Sequence, residues 1–265
     1  MSDEIEVNTI DELIALALNS YSDAELYEEL LGKLRSIATL EVFNKAKALS
    51  FCEEPNRRIL GVQILCQLGN GKPKFVEQSS KVLLSMLPSE AHPGVIAAIA
   101  WGLGHLDAKD REASLVKLKS HPDAEVRLGV VGGLQGIEAE AVTQTLIELS
   151  RDIDNEVRSW ATFALGSQIC ADNPDIRQAL YDRLSDEDEE THCEAIWGLA
   201  QRKDLRVIDY LVERLLSESV IFDDLMAAEA MGVPELLPAL IRLRGRQFEG
   251  EAYLENAIRI CESKQ

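Results

Sequence analysis

His121-Pro122-Asp123-Ala124-Glu125-Val126-Arg127 runs on to Leu134, and Asp152-Ile153-Asp154-Asn155-Glu156-Val157-Arg158 runs on to Leu165. These are two copies of one phrase. Aligned on the residue after the valine, the phrase has six copies, at Arg58, Ile96, Arg127, Arg158, His192 and Asp224, with steps of 38, 31, 31, 34 and 32 residues. Self-similarity at a period of roughly 30–45 residues marks stacked helix-pair units, which offer an extended binding face in place of a deep active-site pocket.

The columns of the alignment show why the phrase is structural. Seven residues past the Arg position stands Leu65, Leu103, Leu134, Leu165, Leu199 or Met231. One residue earlier the chain is small in five of six copies, with Gly102, Gly133, Ala164, Gly198 and Ala230 against Ile64. In the fourth copy Val157, Trp160, Ala161, Ala164 and Leu165 have the spacing of one buried helix face. Each first helix is followed by a second apolar-periodic run, expected at 75–87, 109–119, 138–149, 174–184, 205–216 and 235–243. In the third of these Ala141, Val142, Thr145, Leu146 and Leu149 hold the buried side. Pro73, Pro174 and Pro234 sit near helix starts, where a missing N–H costs little. Asp107, Asp123 and Asp154 stand where carboxylates cap free N–H groups. Strand signals, alternating runs or Asn-Gly turns, are absent from the sequence.

An acidic or proline residue, then Val-Arg, then small and apolar residues ending in Leu, resembles the HEAT-like repeats of the phycobilisome-lyase type, most closely over 121–149 and next over 150–184. The resemblance covers roughly residues 53–245. Copies two, five and six depart from it at Ile96, His192 and Asp224. It implies an all-α fold, a right-handed α-solenoid of about six helix pairs. It leaves function open, because such repeats serve lyases, scaffolds, inhibitors and, in divergent forms, DNA glycosylases.

The ends are expected to close the stack as one domain spanning 1–265: an acidic cap of three helices over 1–52, repeats over 53–245 and a capping helix within 246–265. Residues 1–31 carry nine acids and no Lys or Arg, yet keep helical apolar spacing near 9–19 and 23–36, with a third helix near 39–52. The opening residues lack a basic, then apolar, leader pattern, and no apolar run is long enough to span a bilayer. Cys52, Cys66, Cys170, Cys193 and Cys261 are odd in number and lie in or beside apolar stretches, so they read as reduced core thiols of a cytoplasmic protein.

Forty-six acids against 27 Lys and Arg give a net charge of −19. That balance repels a phosphate backbone and favours a basic protein as partner. The best basic strip, Arg242, Arg244 and Arg246, sits where acids and bases are equal in number. No catalytic residue, cofactor or metal site is assigned. His92, His105, His121 and His192 form no HExxH or Cys-x-x-Cys spacing. The neighbours His192 and Cys193 point about 100° apart on a helix. Gly132-Gly133 reads as close helix packing, and the acid run 186–190 as a solvated loop between repeats.

Two surfaces stand out as docking candidates. One is the exposed side of the second helices, Gln144, Glu148, Arg177, Tyr181, Tyr210 and Glu213, which the resemblance places on a concave face. The other is an aromatic column five past the Arg position, Trp101, Phe163 and Trp197, which also fits simple packing between first helices. The resulting expectation is a monomeric, non-enzymatic interaction protein, most specifically an acidic inhibitor of the immunity type that binds a basic protein. A scaffold, an assembly chaperone or a phycobilin lyase-like subunit is the alternative, and a HEAT-like DNA glycosylase is disfavoured by charge.

Overall fold

The computed structural model describes residues 9–245 and 250–263, so the acids at 3, 4 and 6, Arg246 and most of the loop expected over 245–250 lie outside the described residues. Sixteen α-helices and no strand occur among the described residues. They gather into two compact units, the first closing at Leu134 and the second opening at Gln135.

The first unit begins with α1 (Ile10–Asn19), α2 (Ala24–Ile37) and α3 (Leu40–Leu49), each started by a side chain the backbone needs. Thr9 and Glu12 exchange hydrogen bonds at the head of α1, Asp23 accepts from the Leu26 N–H, and Thr39 from the Val42 N–H. Two helix pairs follow, α4 (Pro55–Cys66) with α5 (Val76–Met86) and α6 (Pro93–His105) with α7 (Arg111–Leu115), then α8 (Ala124–Leu134). Helices α4, α6 and α8 stack side by side, and α3 packs on α4. A Cβ at Gly133 would lie 2.5 Å from the Ala100 carbonyl oxygen, and one at Gly132 would lie 2.1 Å from the Trp101 ring. The paired glycines therefore let α8 close onto α6, as their place in the repeat implied.

The second unit holds α9 (Glu140–Leu149), α10 (Asn155–Phe163), α11 (Pro174–Tyr181), α12 (Glu189–Gln201), α13 (Ile208–Leu216), α14 (Phe222–Met231), α15 (Leu237–Arg244) and α16 (Glu251–Glu262). Here α10, α12, α14 and α16 form the stacked layer. Each unit is thus an α-solenoid stack of HEAT-like helix pairs. The column seven past the Arg position is buried throughout, from Leu65, Leu103, Leu134, Leu165 and Leu199 at 0% to Met231 at 1% exposure.

The arginine of the phrase is a clamp. Arg58 donates Nη1 to the carbonyls of Cys52 and Glu53, Arg127 to those of His121 and Pro122, and Arg158 to those of Asp152 and Ile153. The same offset recurs three times, so each guanidinium closes the turn that precedes its own helix. The rest of the guanidinium reaches the following turn: Arg58 grips Glu90 at 2.8 and 2.9 Å, and Arg158 grips Asp186 at 3.2 and 3.0 Å. Burial opposes ionisation of Glu90 and Asp186, but hydrogen bonds from the arginines and from backbone N–H groups hold both carboxyls below their ordinary range.

Two of the three copies that lack the arginine make a polar contact at the same position, and the third has Ile96 there. His192 bonds the Leu184 carbonyl at 2.7 Å. In the sixth copy the polarity is reversed. The buried Asp224 accepts Nε and Nη2 of Arg214 from α13 at 3.1 and 3.2 Å, and also the Ile221 N–H at 2.9 Å.

One wide π-helical turn, Ala164–Gln168, ends the first helix of the fourth copy. Such a turn frees carbonyl groups, and a buried guanidinium takes them up. Arg202 donates to the carbonyls of Leu165, Gly166, Ile169, Ala171 and Gly198 at 2.7–3.1 Å.

Several local expectations are corrected. Trp160 is 40% exposed, because Ser159 and Thr162 occupy the buried side of α10 around Val157 and Ala161. Ala141 is exposed, and Thr143 is buried in its place. Asp107 caps no N–H group; it binds the Arg111 guanidinium at 2.6 Å. The acid run at 186–190 is more than a solvated loop, since Asp186 holds Arg158 and Arg183 while Asp188 caps α12 through the Thr191 N–H and hydroxyl. All five cysteines are free thiols, but only Cys66 and Cys261 are buried; Cys170 is exposed.

Candidate functional site

The second-helix residues named from sequence all fall in the second unit, on α9, α11 and α13. Gln144 and Glu148 are exposed and lie 3.5 Å apart, Nε2 to Oε1. Arg177 is occupied from within, binding Asp172 through two bonds of 2.7 Å, the Arg202 carbonyl at 2.6 Å and Asp204 at 3.5 Å. Its hydrogen bonds to Asp172 push its pKa up and hold Asp172 down. The Tyr181 ring is half-buried and carries the Arg206 guanidinium 4.5 Å from its centre. Tyr210 is half-buried near the His192 ring, and Glu213 is exposed. The surface is therefore a lattice of short internal bonds with Glu148 and Glu213 at its edge.

The aromatic column is divided between the two units. In the first unit Trp101 lies against Gly132 of the neighbouring stacked helix, the arrangement expected of packing. In the second unit Trp197 is half-buried on α12. Phe163 is half-buried too, and Trp160 meets it edge-on, with ring centres 5.9 Å apart.

That aromatic pair forms one wall of an open cleft of about 600 Å³ between α10, α12 and the start of α14. The cleft is also lined by Glu189, Glu190, Cys193 and Glu194 of α12, and the α14 end adds Ile221 and Asp223. Arg214 reaches the cleft from α13 and bonds Glu189, but its other contacts go to the buried Asp224. Glu190, Glu194 and Asp223 have no ion-pair partner among the described residues. Burial, followed by the charges of Asp223 and Glu190, pushes the Glu194 carboxyl up to about 7. Cys193 is pushed up to about 11, chiefly by burial, so its thiol stays protonated and weakly nucleophilic near neutral pH. Among the described residues no three His, Cys, Asp or Glu side chains are gathered as a metal site requires.

The contrast with the first unit is direct. One of its clefts, of about 420 Å³ beside α1 and α3, has charged walls, but Lys45 binds Asp11 at 2.6 Å and Arg57 binds Glu54 at 2.8 Å. Sequence reasoning missed the second-unit cleft because helical spacing assigned Trp160 to the core. A signal was present: two residues past the Arg position, Trp160 in one copy adjoins Glu194 in the next.

A family model for HEAT repeats matches residues 80–166 and 149–232, more than half of the chain. The chain is a HEAT-repeat protein. It is 38% identical over 115 residues to Protein YibA of Escherichia coli (strain K12). That match covers 43% of this chain and 41% of YibA, so it spans less than half of the relative's length. The crystal structure of YibA superposes with a TM-score of 0.79 at 26% identity, covering 96% of this chain and 93% of that one. The complex of CpcE and CpcF of phycocyanin lyase from Nostoc sp. is similar in fold, at a TM-score of 0.51 and 16% identity, covering 100% of this chain and 98% of that one. These likenesses establish the all-α HEAT-repeat solenoid class. No helix among the described residues is long and apolar enough to cross a membrane.

Proposed function

We propose that this HEAT-repeat protein is a non-enzymatic interaction module whose partner is a basic protein, and that it acts as an inhibitor of the immunity type. One observation carries the reading. Much of the positive charge is spent inside the protein, as the clamps of Arg58 and Arg158 and the buried guanidiniums of Arg111, Arg202 and Arg214 show. Acids outnumber bases 46 to 27, and although Glu90, Asp186 and Asp224 are drawn inward with Arg58, Arg158 and Arg214, the excess of acid stays on the outer surface. A field of that sign steers a cationic protein toward the chain and repels nucleic acid. Arg244, in the best basic strip, is bound to Glu255 through two hydrogen bonds. Glu148 and Glu213, together with Tyr181 and Tyr210, make the second-helix surface a docking face for such a partner.

Co-purification from the native host, followed by kinetics on the captured protein, tests the reading. The partner should be basic, and its association rate should fall with added salt far more than its dissociation rate rises. Glu148→Lys with Glu213→Lys should slow association further. Co-expression should silence the partner's activity. A neutral or acidic partner whose association ignores salt overturns the proposal.

A further inference from the structure

We infer that the cleft formed by α10, α12 and the start of α14 docks a segment of the partner that is both basic and apolar, seating a lysine or arginine side chain between Trp160 and the carboxylates of Glu190, Glu194 and Asp223. This deepens the basic-partner reading and rests on it. The volume, about 600 Å³, falls within the roughly 300–1,000 Å³ range of pockets that hold a ligand group. Its chemistry is that of a cation acceptor. The face of an indole attracts a cation that has left water, and three carboxylates lie nearby with no counter-charge among the described residues. Arg214 does not supply that charge, because its guanidinium is committed to Asp224 and Glu189.

The apolar half of the segment is argued from what continues beyond the cleft. Ile221 is exposed at its edge, and the next residue, Phe222, meets Tyr253 edge-on with ring centres 4.3 Å apart. Phe222 and Tyr253 remain 41% and 47% exposed, so two large rings lie open to water beside a cation-accepting cleft. A simple inorganic cation would leave that apolar surface wet. A second copy of this chain would bring another −19 charge toward the same acids. A peptide segment with a basic side chain followed by an apolar one satisfies both halves.

The test uses the full chain and three labelled probe peptides of equal length: lysine alternating with leucine, lysine alternating with serine, and glutamate alternating with leucine. Fluorescence polarisation should show the Lys/Leu peptide binding more tightly than the Lys/Ser peptide, and the Glu/Leu peptide not binding. Trp160→Ala should weaken the Lys/Leu peptide about tenfold, as loss of one aromatic anchor does. Glu190→Gln with Glu194→Gln should weaken it by a similar factor, while thermal melting confirms that the variant is folded. If Trp160→Ala does not fold, the Gln pair decides. Equal affinity for the two lysine peptides overturns the docking of an apolar-and-basic segment. If the Lys/Leu peptide binds but ignores the cleft variants and responds to Glu148→Lys with Glu213→Lys, the cleft assignment fails and the basic-partner reading stands. If no lysine peptide binds, both fail.

Discussion

On α11 and α13 the rings and charges of the second unit are covered from within: Arg206 lies over Tyr181, and Arg177 is shared among Asp172, Asp204 and a carbonyl. On α10 and α12 of the same unit Trp160 stands 40% exposed beside Glu190 and Glu194, which no described cation balances. Both surfaces carry aromatic rings next to charge. They differ in whether the charge beside the rings is balanced from within: Arg177 is held by Asp172 and Asp204, whereas Glu190 and Glu194 have no ion-pair partner among the described residues. An internal cation on an aromatic ring stabilises the fold and must be displaced before a partner's cation can take its place. Carboxylates with no internal cation leave that charge for a partner to balance.

The comparison breaks first at stability, where the self-satisfied parts should be costly to cut. Arg202→Ala strips a shared donor from five carbonyls and should cost about 3–5 kcal/mol in urea unfolding. Leu165→Ala, at 0% exposure, belongs in the same class at about 2–5 kcal/mol. A loss under 1 kcal/mol for Arg202→Ala would mean the wide turn after α10 needs no plug.

Next comes the clamp. Arg158→Ala should cost about 3 kcal/mol, because it leaves the well-covered Asp186 carboxylate without its two-point partner. The double variant with Asp186→Ala should lose less than the sum of the two single losses.

A finer division concerns the two rings. Tyr181→Ala should destabilise by about 1–2 kcal/mol, since it removes a half-buried ring and its guanidinium contact. Trp160→Ala should stay within about 1 kcal/mol of the parent, as a side chain at the edge of the packed layer does. Reversal of that order would erase the distinction between the surfaces.

The repeat period, the buried leucine column and the helix pairing were legible because they depend on residue size and spacing. The three helices expected near 9–19, 23–36 and 39–52 appear at Ile10–Asn19, Ala24–Ile37 and Leu40–Leu49 for the same reason. The cleft was not legible. Whether Trp160 faces the core or its margin depends on a rotation of α10 that Ser159 and Thr162 decide, and both are small polar residues that spacing rules place outside. Thr162 can be buried because its hydroxyl bonds the Arg158 carbonyl at 2.7 Å, an outlet that no apolar count registers. The reversed clamp was hidden for a related reason: Asp224 looked like a lost arginine, and its donor lies ten residues earlier on another helix.

The smallest expected effect is one of pH. The Glu194 carboxyl is raised to about 7 in the folded protein by burial and by Asp223 and Glu190, with Glu189 and Arg214 also facing the cleft. The folded state therefore binds this proton more tightly than the unfolded chain. Its contribution is full below the ordinary carboxylate pKa and is lost as pH rises through about 7. Glu194→Gln should raise stability at about pH 8, by less than roughly 1 kcal/mol given the solvent access of the site, and change little at about pH 5. Equal melting curves at both values would place Glu194 in open water.

The reversed clamp also sets where this chain can be cut and rejoined. In the copies centred on Arg58, Arg127 and Arg158, the turn-closing guanidinium travels with the helix it introduces, so a unit that begins at its own turn keeps that turn closed, although a cut at the next turn parts Arg58 from Glu90 or Arg158 from Asp186. In the last copy the guanidinium belongs to α13 and the carboxylate to α14. A deletion or graft made at the matching boundary there would part Arg214 from Asp224 and leave a buried carboxylate with no mate. For anyone recombining these repeats, α13 and α14 form one indivisible part.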